Sequence, residues 1–396
     1  MGTDPAYETA LRELYARAKF GIKLGLDGMH ASAERLGNPH ESYATLHVAG
    51  TNGKGSVSAM LESIARASGL KTGLYTSPHL HRFAERIRID GEPVADDVLV
   101  SHLQRILSSE PDRTFFEVAT LAAFSIFREA KVDLAVIEVG LGGRLDATNI
   151  LSRPRVSVVT RIALDHTDRL GGTLEAIAGE KAGILKKDVP VVLGPMSQSV
   201  REVFVERAKM LGSSVHDAPN AGLFVPSLAG AHQRTNASIA ETAARIAGLT
   251  AIEEGITRAT WPGRLELVQL GEYRYLLDAA HNPDGAEALA KYVASVRFKN
   301  PTLVFGSLAD KDWAASLKIL APLFSNIVYV APQGRTPARF EDLQRVAPGK
   351  VAPDVPTAIS IAQALGSPVV VAGSIYLVGE TRAHLLGVAS DPVIAM

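Results

Sequence analysis

Between residues 44 and 65 the chain commits itself to one kind of local structure. A short apolar run, residues 44–49, leads into the stretch Gly50-Thr51-Asn52-Gly53-Lys54-Gly55-Ser56. Val57, Met60, Leu61, Ile64 and Ala65 then repeat at three- and four-residue steps. Strand, glycine loop and helix in that order make a phosphate-binding βα unit. Glycines let backbone N–H groups approach phosphate oxygens, and the helix behind them presents its positive end. Lys54 supplies a mobile cation for terminal phosphates, and Ser56 offers a hydroxyl to a phosphate or to Mg²⁺. The strict pattern of such loops fails, because position 48 is Val and Gly55 separates Lys54 from Ser56. A glycine-rich turn without a ligand therefore stands as the alternative to a nucleotide site.

The rest of the chain repeats the same alternation. β-Branched runs at residues 134–139, 156–160 and 189–193 are separated by helical patterns at 117–129, 173–185 and 199–211. This predicts an α/β domain with a mainly parallel sheet. The first forty residues read as helix, with Leu11, Leu14, Tyr15 and Ala18 on one stripe. A second set begins after Trp261-Pro262-Gly263-Arg264, with strands expected at 275–279, 302–306, 327–330 and 368–372 and helices at 285–296 and 312–323. The Pro-Gly pair ends a helical segment at 251–259 and serves as a hinge. The expected division is a domain over 1–264 and a smaller one over 265–396, about 130 residues and an ordinary size.

Composition narrows the function by exclusion. Lys and Arg number 41 against 42 Asp and Glu, a net charge of −1, so no global field recruits nucleic acid or an anionic membrane. Anionic ligands must be held by a local site. With no cysteine, disulfides, zinc–thiolate sites and thiol nucleophiles are excluded. The first twenty residues lack the basic-then-apolar run of a signal peptide, and Ala6 breaks the myristoylation pattern. The most apolar stretch, 368–379, falls short of the ~20 residues that a membrane span needs. The expectation is a cytoplasmic protein with no membrane and no nucleic-acid partner, acting as a monomer.

Several polar residues stand where such a sheet binds ligands. Glu138 ends an apolar run just before Gly140, and His166 follows another, so both reach the carboxyl edge of the sheet. Either also reads as a structural side chain, Glu138 paired with a neighbouring cation. Lys181 lies eight residues into a helical pattern, where a lysine is ordinarily solvated. Arg144 and Asp146, with Leu145 between them, sit in a glycine-flanked loop that either approaches a ligand or is pinned by an Arg–Asp pair. Asp278 and His281 flank a strand-to-helix turn with Pro283 opening the helix, which capping chemistry alone would also explain. Tyr376 reads as packing.

The loop GTNGKGS preceded by HVA resembles the folylpolyglutamate synthase/dihydrofolate synthase family, relatives of the Mur peptide ligases. Upstream, residues 20–26 and Leu36-Gly37-Asn38-Pro39 are similar to that family. Downstream, Tyr75-Thr76-Ser77-Pro78-His79-Leu80, Glu85-Arg86-Ile87, Thr114-Phe115-Phe116-Glu117 and residues 138–149 continue the likeness. Leu164-Asp165-His166-Thr167, Glu180-Lys181-Ala182-Gly183-Ile184, His232-Gln233 with Asn236-Ala237, and Trp261 to Arg264 keep the family's order. Residues 278–283, Asp310-Lys311-Asp312 and Gly373-Ser374-Ile375-Tyr376-Leu377 complete it. The likeness spans roughly residues 20 to 380.

The resemblance implies a Mur-ligase-like N-terminal P-loop ATPase domain with a mainly parallel sheet and a smaller Rossmann-like α/β C-terminal domain. It implies ATP and Mg²⁺, two ions, as cofactors, with Ser77, Glu138 and His166 as metal ligands. Lys181 corresponds to a lysine that is carbamylated in the family, which converts a cation into an oxygen ligand for the second Mg²⁺. ATP would be held by residues 50–56 with Asn236, Arg264, Asp278 and His281, and Lys54, Lys181 and His166 would serve the chemistry. Thr114, Phe115, Phe116, Glu117, Arg144, Leu145 and Asp146 would form the pterin side of the substrate pocket. The RLDATN segment matches the bacterial members that also make dihydrofolate, which favours dual activity.

The implied reaction joins L-glutamate to dihydropteroate or tetrahydrofolate through an acyl phosphate. Phosphoryl transfer needs positioning and charge neutralisation more than covalent chemistry, which suits a chain without a thiol. An acyl phosphate is lost to water, so closure of the second domain over the first would protect it. Two other readings compete. A Mur ligase acting on a UDP-linked cell-wall precursor would carry a further domain before the phosphate loop, and the 49 residues before Gly50 are too few for one. A nucleotide-dependent switch without ligase activity would have no need for Glu138, His166 and Lys181 together.

Overall fold

A computed structural model describes residues 5–21 and 25–391; positions 22–24 of the family-like segment at 20–26 lie outside the described residues. The strands of the first sheet are β1 (Ala44–Ala49), β2 (Thr72–Tyr75), β3 (Ile87–Ile89), β4 (Glu92–Pro93), β5 (Leu134–Glu138), β6 (Val156–Val159), β7 (Val191–Leu193) and β8 (Val215–Asp217). They lie in the order β4-β3-β2-β5-β1-β6-β7-β8. All pairings from β2 to β8 are parallel, and β3 and β4 close one edge antiparallel. β1 is central and buried on both faces, as a strand covered by helices on both sides must be: Leu46 and Val48 point one way and Thr45 and His47 the other, with His47 Nε2 2.9 Å from Thr148 Oγ1.

After β1 the chain turns through the helix Lys54–Ala67 towards β2, whereas after β6 it runs through Leu174–Ala182 towards β7 on the opposite side. The connections part company between β1 and β6, which opens a crevice at the carboxyl ends of those strands. One face of the sheet is covered by Pro5–Tyr15, Asp96–Ser109 and Phe115–Glu129, the last buried continuously from Glu117 to Phe127. Burying one such Phe or Leu is worth about 1.5–3 kcal/mol. The other face packs Lys54–Ala67 against Ala231–Ile246 and Ile252–Arg258 through alanine-rich surfaces.

The second sheet contains β9 (Glu266–Leu270), β10 (Tyr273–Leu277), β11 (Thr302–Phe305), β12 (Asn326–Tyr329), β13 (Lys350–Val351) and β14 (Val369–Ala372). Their order is β13-β12-β11-β14-β10-β9, parallel except for the edge strand β9. The two-domain α/β architecture with mainly parallel sheets is the one expected. No helix among the described residues is long and apolar enough to cross a membrane.

Two local expectations are corrected. The first forty residues are not one helix: Pro5–Tyr15 and a 3₁₀ turn, Ala16–Phe20, precede a separate helix, Asp27–Arg35, with glycines at 21 and 25 between them. The strand expected over 275–279 runs instead over Tyr273–Leu277, because β9 pairs with it from residue 273 onwards. Asp278 therefore follows directly after the strand at its carboxyl end, its N–H still donating to the Val371 carbonyl at 3.1 Å.

Candidate active site

A cavity of about 580 Å³ opens where the carboxyl edges of the two sheets face each other. Residues 50–56, Ser77, Glu138, His166, Lys181, Asn236, Arg264, Asp278 and His281 all line it. The sequence places these residues far apart, and the fold brings them to one space.

The glycine loop is held open from both sides. Thr51 N–H donates to the Arg161 carbonyl at 2.7 Å, its hydroxyl donates to the Ala163 carbonyl at 3.0 Å, and Thr160 Oγ1 donates to the Asn52 carbonyl at 2.7 Å. Gly53 has a φ of 90°, and a Cβ there would stand 2.6 Å from Asn236 Oδ1, so glycine is required on both counts. Lys54 begins the helix, its ammonium donating to the Thr51 carbonyl at 3.1 Å. Asn236 Nδ2 donates to Gln233 Oε1 at 2.9 Å, and Gln233 Nε2 donates to Ser56 Oγ at 3.2 Å. That relay ties the phosphate loop to the helix Ala231–Ile246.

Glu138 is buried at the end of β5, where Oε2 accepts the Ser77 backbone N–H at 3.1 Å. Burial raises its pKa above the usual carboxylate range, and the Lys54 charge, the Ser77 hydrogen bond and the Arg264 and Arg86 charges oppose that rise. His166 sits in the left-handed region at φ 51° with Nε2 3.1 Å from Lys311 Nζ. Burial pushes its imidazole down to about 4; Asp165 works against the shift, and the Lys311, His281 and Lys54 charges work with it.

Lys181 departs from the solvated helix lysine that its sequence position suggests. The helix turns it inward, 4% exposed, with Nζ donating to the Gly50 carbonyl at 2.9 Å. Burial and the nearby Lys54 push its amine down to about 7, against the pull of Asp165 and Asp146.

Asp278 does not cap the helix that follows it. Its Oδ2 accepts Leu265 N–H at 2.8 Å and Oδ1 accepts Ala280 N–H at 3.0 Å, while Asn282 caps Pro283–Val296 through Gly285 N–H at 2.9 Å. His281 Nδ1 is 2.9 Å from the Ala279 carbonyl.

The residues expected on the pterin side do not line this cavity. Thr114 and Glu117 form a reciprocal cap at the start of Phe115–Glu129, with Thr114 N–H donating to Glu117 Oε2 at 2.7 Å. Phe115 packs on Tyr15 and Phe83, and Phe116 lies against Tyr75 and Gly140, directly behind the cavity wall. Arg144 pairs with Glu180 at 2.8 Å rather than with Asp146. Asp146 is buried, accepting from Leu141 N–H at 2.9 Å and from Thr148. Leu145 shares that loop.

Several residues around the site, among them Asn282, Asp284, Arg161, Asp165, Lys311 and Arg86, have no role assigned from the sequence. Asn52 of the phosphate loop and Asn282 exchange amide hydrogen bonds at 3.0 and 3.1 Å across the two sheets. Asn52 Nδ2 also donates to Asp284 Oδ2 at 2.7 Å, and Arg161 pairs with Asp284. Asp165 accepts from Lys311 Nζ at 2.7 Å. Arg86, buried and stacked over Phe83 and Phe115, donates to His79 Nδ1 at 2.8 Å. The quoted motifs contain all but Arg161 and Asp284, but motif membership does not reveal a partner some 230 residues away.

Comparison with known proteins agrees with this architecture. The family described as "Mur ligase middle domain" matches residues 48–192, and "Mur ligase, glutamate ligase domain" matches 263–375. The dihydrofolate synthase/folylpolyglutamate synthase of Bacillus subtilis is 35% identical over 96% of this chain and 99% of its own length. That of Escherichia coli is 38% identical over 81% of each. Among solved structures, E. coli FolC in complex with DHPP and ADP superimposes with a TM-score of 0.88 at 32% identity, covering 97% of this chain and 99% of that one. A Mycobacterium tuberculosis folylpolyglutamate synthase complexed with ADP gives 0.87 at 31% identity, with coverage of 97% and 99%. Likeness of this extent, through both sheets and the cavity between them, makes the chain a member of the dihydrofolate synthase/folylpolyglutamate synthase family within the Mur ligases.

Proposed function

We propose that this protein is an ATP-dependent ligase that adds L-glutamate to dihydropteroate and to tetrahydrofolate or its polyglutamates. The observation that carries the reading is the shared cavity: a phosphate loop from one sheet faces Asp278 and His281 from the other. In this reading Lys54 and the loop amides hold the terminal phosphates, Asn236 and Arg264 the base and phosphates, and Asp278 and His281 the ribose side. A substrate carboxylate oxygen attacks the γ-phosphorus and ADP leaves. The glutamate amine then attacks the acyl carbon, the C–O bond to phosphate breaks, and phosphate departs with that oxygen. Lys54 and Arg264 neutralise charge that develops on the phosphoryl oxygens. Residues from both sheets exclude water from the acyl phosphate.

The donor set suits a hard divalent cation. Glu138 offers carboxylate oxygen, Ser77 a hydroxyl and His166 an imidazole whose Nε2 already faces a cationic group, Lys311. Among the described residues no three His, Asp or Glu side chains form a metal-holding group. Phosphate oxygens and water would complete the shell, as is usual for Mg²⁺. Mg²⁺ bound there would polarise the γ-phosphoryl group. Lys181 fits carbamylation: addition of CO₂ needs a neutral amine, and this one is buried against the Gly50 carbonyl with its basicity depressed. Phe115, Phe116 and the buried Arg86 support a pterin subsite behind Gly140, with Thr114, Glu117 and residues 144–146 shaping it from the second layer. The reading divides the chain into working units at 264/265, acting as a cytoplasmic monomer.

The test is ADP formation measured with glutamate plus dihydropteroate, glutamate plus tetrahydrofolate, or a UDP-linked cell-wall precursor with an amino acid. Turnover with both folates is expected. Turnover with tetrahydrofolate alone limits the enzyme to polyglutamylation, and turnover with the UDP precursor alone overturns the reading.

A further inference from the structure

Behind the cavity, three polar side chains form a line from the central strand to the loop that makes one wall. His47, within β1, and Thr148 are fully buried, and Asp146 nearly so. His47 Nε2 lies 2.9 Å from Thr148 Oγ1, and Thr148 Oγ1 donates to Asp146 Oδ1 at 2.5 Å. A threonine hydroxyl has one proton to give. Thr148 gives it to the carboxylate, so His47 donates through Nε2 and its Nδ1 is a bare lone pair. Nδ1 is enclosed without a partner among the described residues, so this arrangement strands an acceptor and no donor. Burial, with the Lys186 charge, pushes the imidazole down to about 3, and the ring is neutral.

Asp146 passes the constraint on. Its Oδ1 also accepts Thr148 N–H at 3.0 Å, and its Oδ2 accepts Leu141 N–H at 2.9 Å. Leu141 lines the cavity together with Gly140 and Gly142. Behind Gly140 stands the Phe116 ring, with which a Cβ at that position would collide. Further along the loop, Arg144 N–H donates to the Glu180 carbonyl at 2.8 Å. Asn149 Nδ2 donates to the Arg144 and Gly183 carbonyls at 2.9 and 3.0 Å. Those bonds fix residues 144–149 against the helix that carries Lys181, whereas the turn at 140–141 is held through Asp146.

We propose that His47 and Thr148 are positioning residues for the folate substrate. Together they aim Asp146, and Asp146 sets how deep Gly140 and Leu141 stand between the phosphate site and the rings of Phe115 and Phe116. The inference rests on the reading that the folate lies on the side of those rings. Both residues act through Asp146 and neither touches ATP, so the effect belongs to the folate and not to the nucleotide. A displaced wall moves the substrate carboxylate away from the γ-phosphorus, and misplacement by about 1 Å can cost about a hundredfold in rate.

The test uses three variants of the full chain. Thr148→Val keeps the shape but removes a donor from Asp146 and leaves His47 Nε2–H without an acceptor. It should raise KM for dihydropteroate and for tetrahydrofolate about fivefold or more, with KM for ATP within about twofold, and should speed hydrogen exchange at the Leu141 amide. His47→Leu combined with Thr148→Val strands no polar group, so its urea midpoint should lie closer to wild type than that of Thr148→Val while the folate KM stays raised. Thr148→Ser, which keeps the hydroxyl, should recover most of the folate affinity. Folate KM within about twofold of wild type in both valine variants, or an equal rise in KM for ATP, would overturn the proposal. An equal rise in Thr148→Ser would overturn it too, by assigning the effect to the methyl group. Failure of the ligase reading looks different: the wild type itself would show no folate- and glutamate-dependent ADP formation, while the change in Leu141 exchange would remain.

Discussion

Replacing Asn282 by alanine removes a side chain that does three jobs at once. It caps the helix Pro283–Val296 through Gly285 N–H, exchanges amide hydrogen bonds with Asn52 in the phosphate loop, and donates to Asp165. The residue is 2% exposed, so water does not freely replace these contacts. A lost N-cap costs about 1 kcal/mol. Each neutral hydrogen bond is worth about 0.5–1.5 kcal/mol and the one to a carboxylate somewhat more. The effects do not add fully, because Asn52 keeps its bond to Asp284 and Asp165 keeps Lys311. The expected loss is about 2–3 kcal/mol, with a lower kcat because the phosphate loop loses its tie to the second sheet. Urea unfolding of the full chain measures the loss. Asn282→Asp separates the contributions, since it keeps the cap but places a carboxylate against Asp165. Crowding by a like charge raises the folded-state pKa of the introduced carboxyl, so its penalty is present at neutral pH and shrinks as pH falls through that value. A loss under about 0.5 kcal/mol for Asn282→Ala, or an Asn282→Asp penalty indifferent to pH, would refute the proposed contact between the sheets.

Other outcomes follow from the same geometry. Lys54→Ala should abolish turnover, at least a hundredfold in kcat on the scale of a lost transition-state donor (about 10²–10³), while circular dichroism and urea midpoint stay near wild type; ligase activity at wild-type level would remove the phosphate-loop role. Lys181→Ala should lose activity by a similar factor and regain part of it with short carboxylic acids that fill the vacated space near the Gly50 carbonyl; full activity without rescue would reject a metal-bridging role. Away from the site, Arg35 holds Glu110 in a two-pronged pair with Ser32 assisting, and these hydrogen bonds keep the Glu110 carboxyl below its usual range against the opposing effect of burial. A depressed folded-state pKa stabilises above the unfolded value, about 4.3, and that stabilisation is lost as pH falls through the folded value. Glu110→Gln should therefore cost about 1 kcal/mol at pH 7, the half-exposed Arg35 limiting the effect, and the difference in urea midpoint should close in acid.

The residues legible in the sequence are those whose signal is local. The phosphate loop is read from a strand, a glycine run and a helix within some twenty positions, Glu138 from its place at the end of β5, and His166 from the loop that follows β6. Lys181 was legible only through family likeness, since its position in a helical pattern does not say that this face turns towards Gly50. The helix Ala231–Ile246 escaped because its buried face is built from Ala237, Ala240 and Ala244 with Gln233 and Asn236, small or polar side chains in place of the large apolar ones that mark the helix after the phosphate loop. Asn282, Asp284, Arg161, Lys311 and Asp165 form the junction between sheets, and their pairing depends on how two separately patterned halves dock. Local periodicity contains no information about that docking. Arg144 and Asp146 teach the converse: adjacency in a loop suggested a pair, and the fold sent one to Glu180 and buried the other.

The central step of the proposed reaction is an acyl phosphate formed between a folate-type carboxylate and ATP in the cavity between the sheets. The most direct measurement starts from dihydropteroate labelled with ¹⁸O in its carboxylate and follows the label into inorganic phosphate during glutamate-dependent turnover. Transfer of one ¹⁸O to each phosphate, with ADP as the other product, is the predicted result. Phosphate that carries no label while amide product accumulates would contradict it.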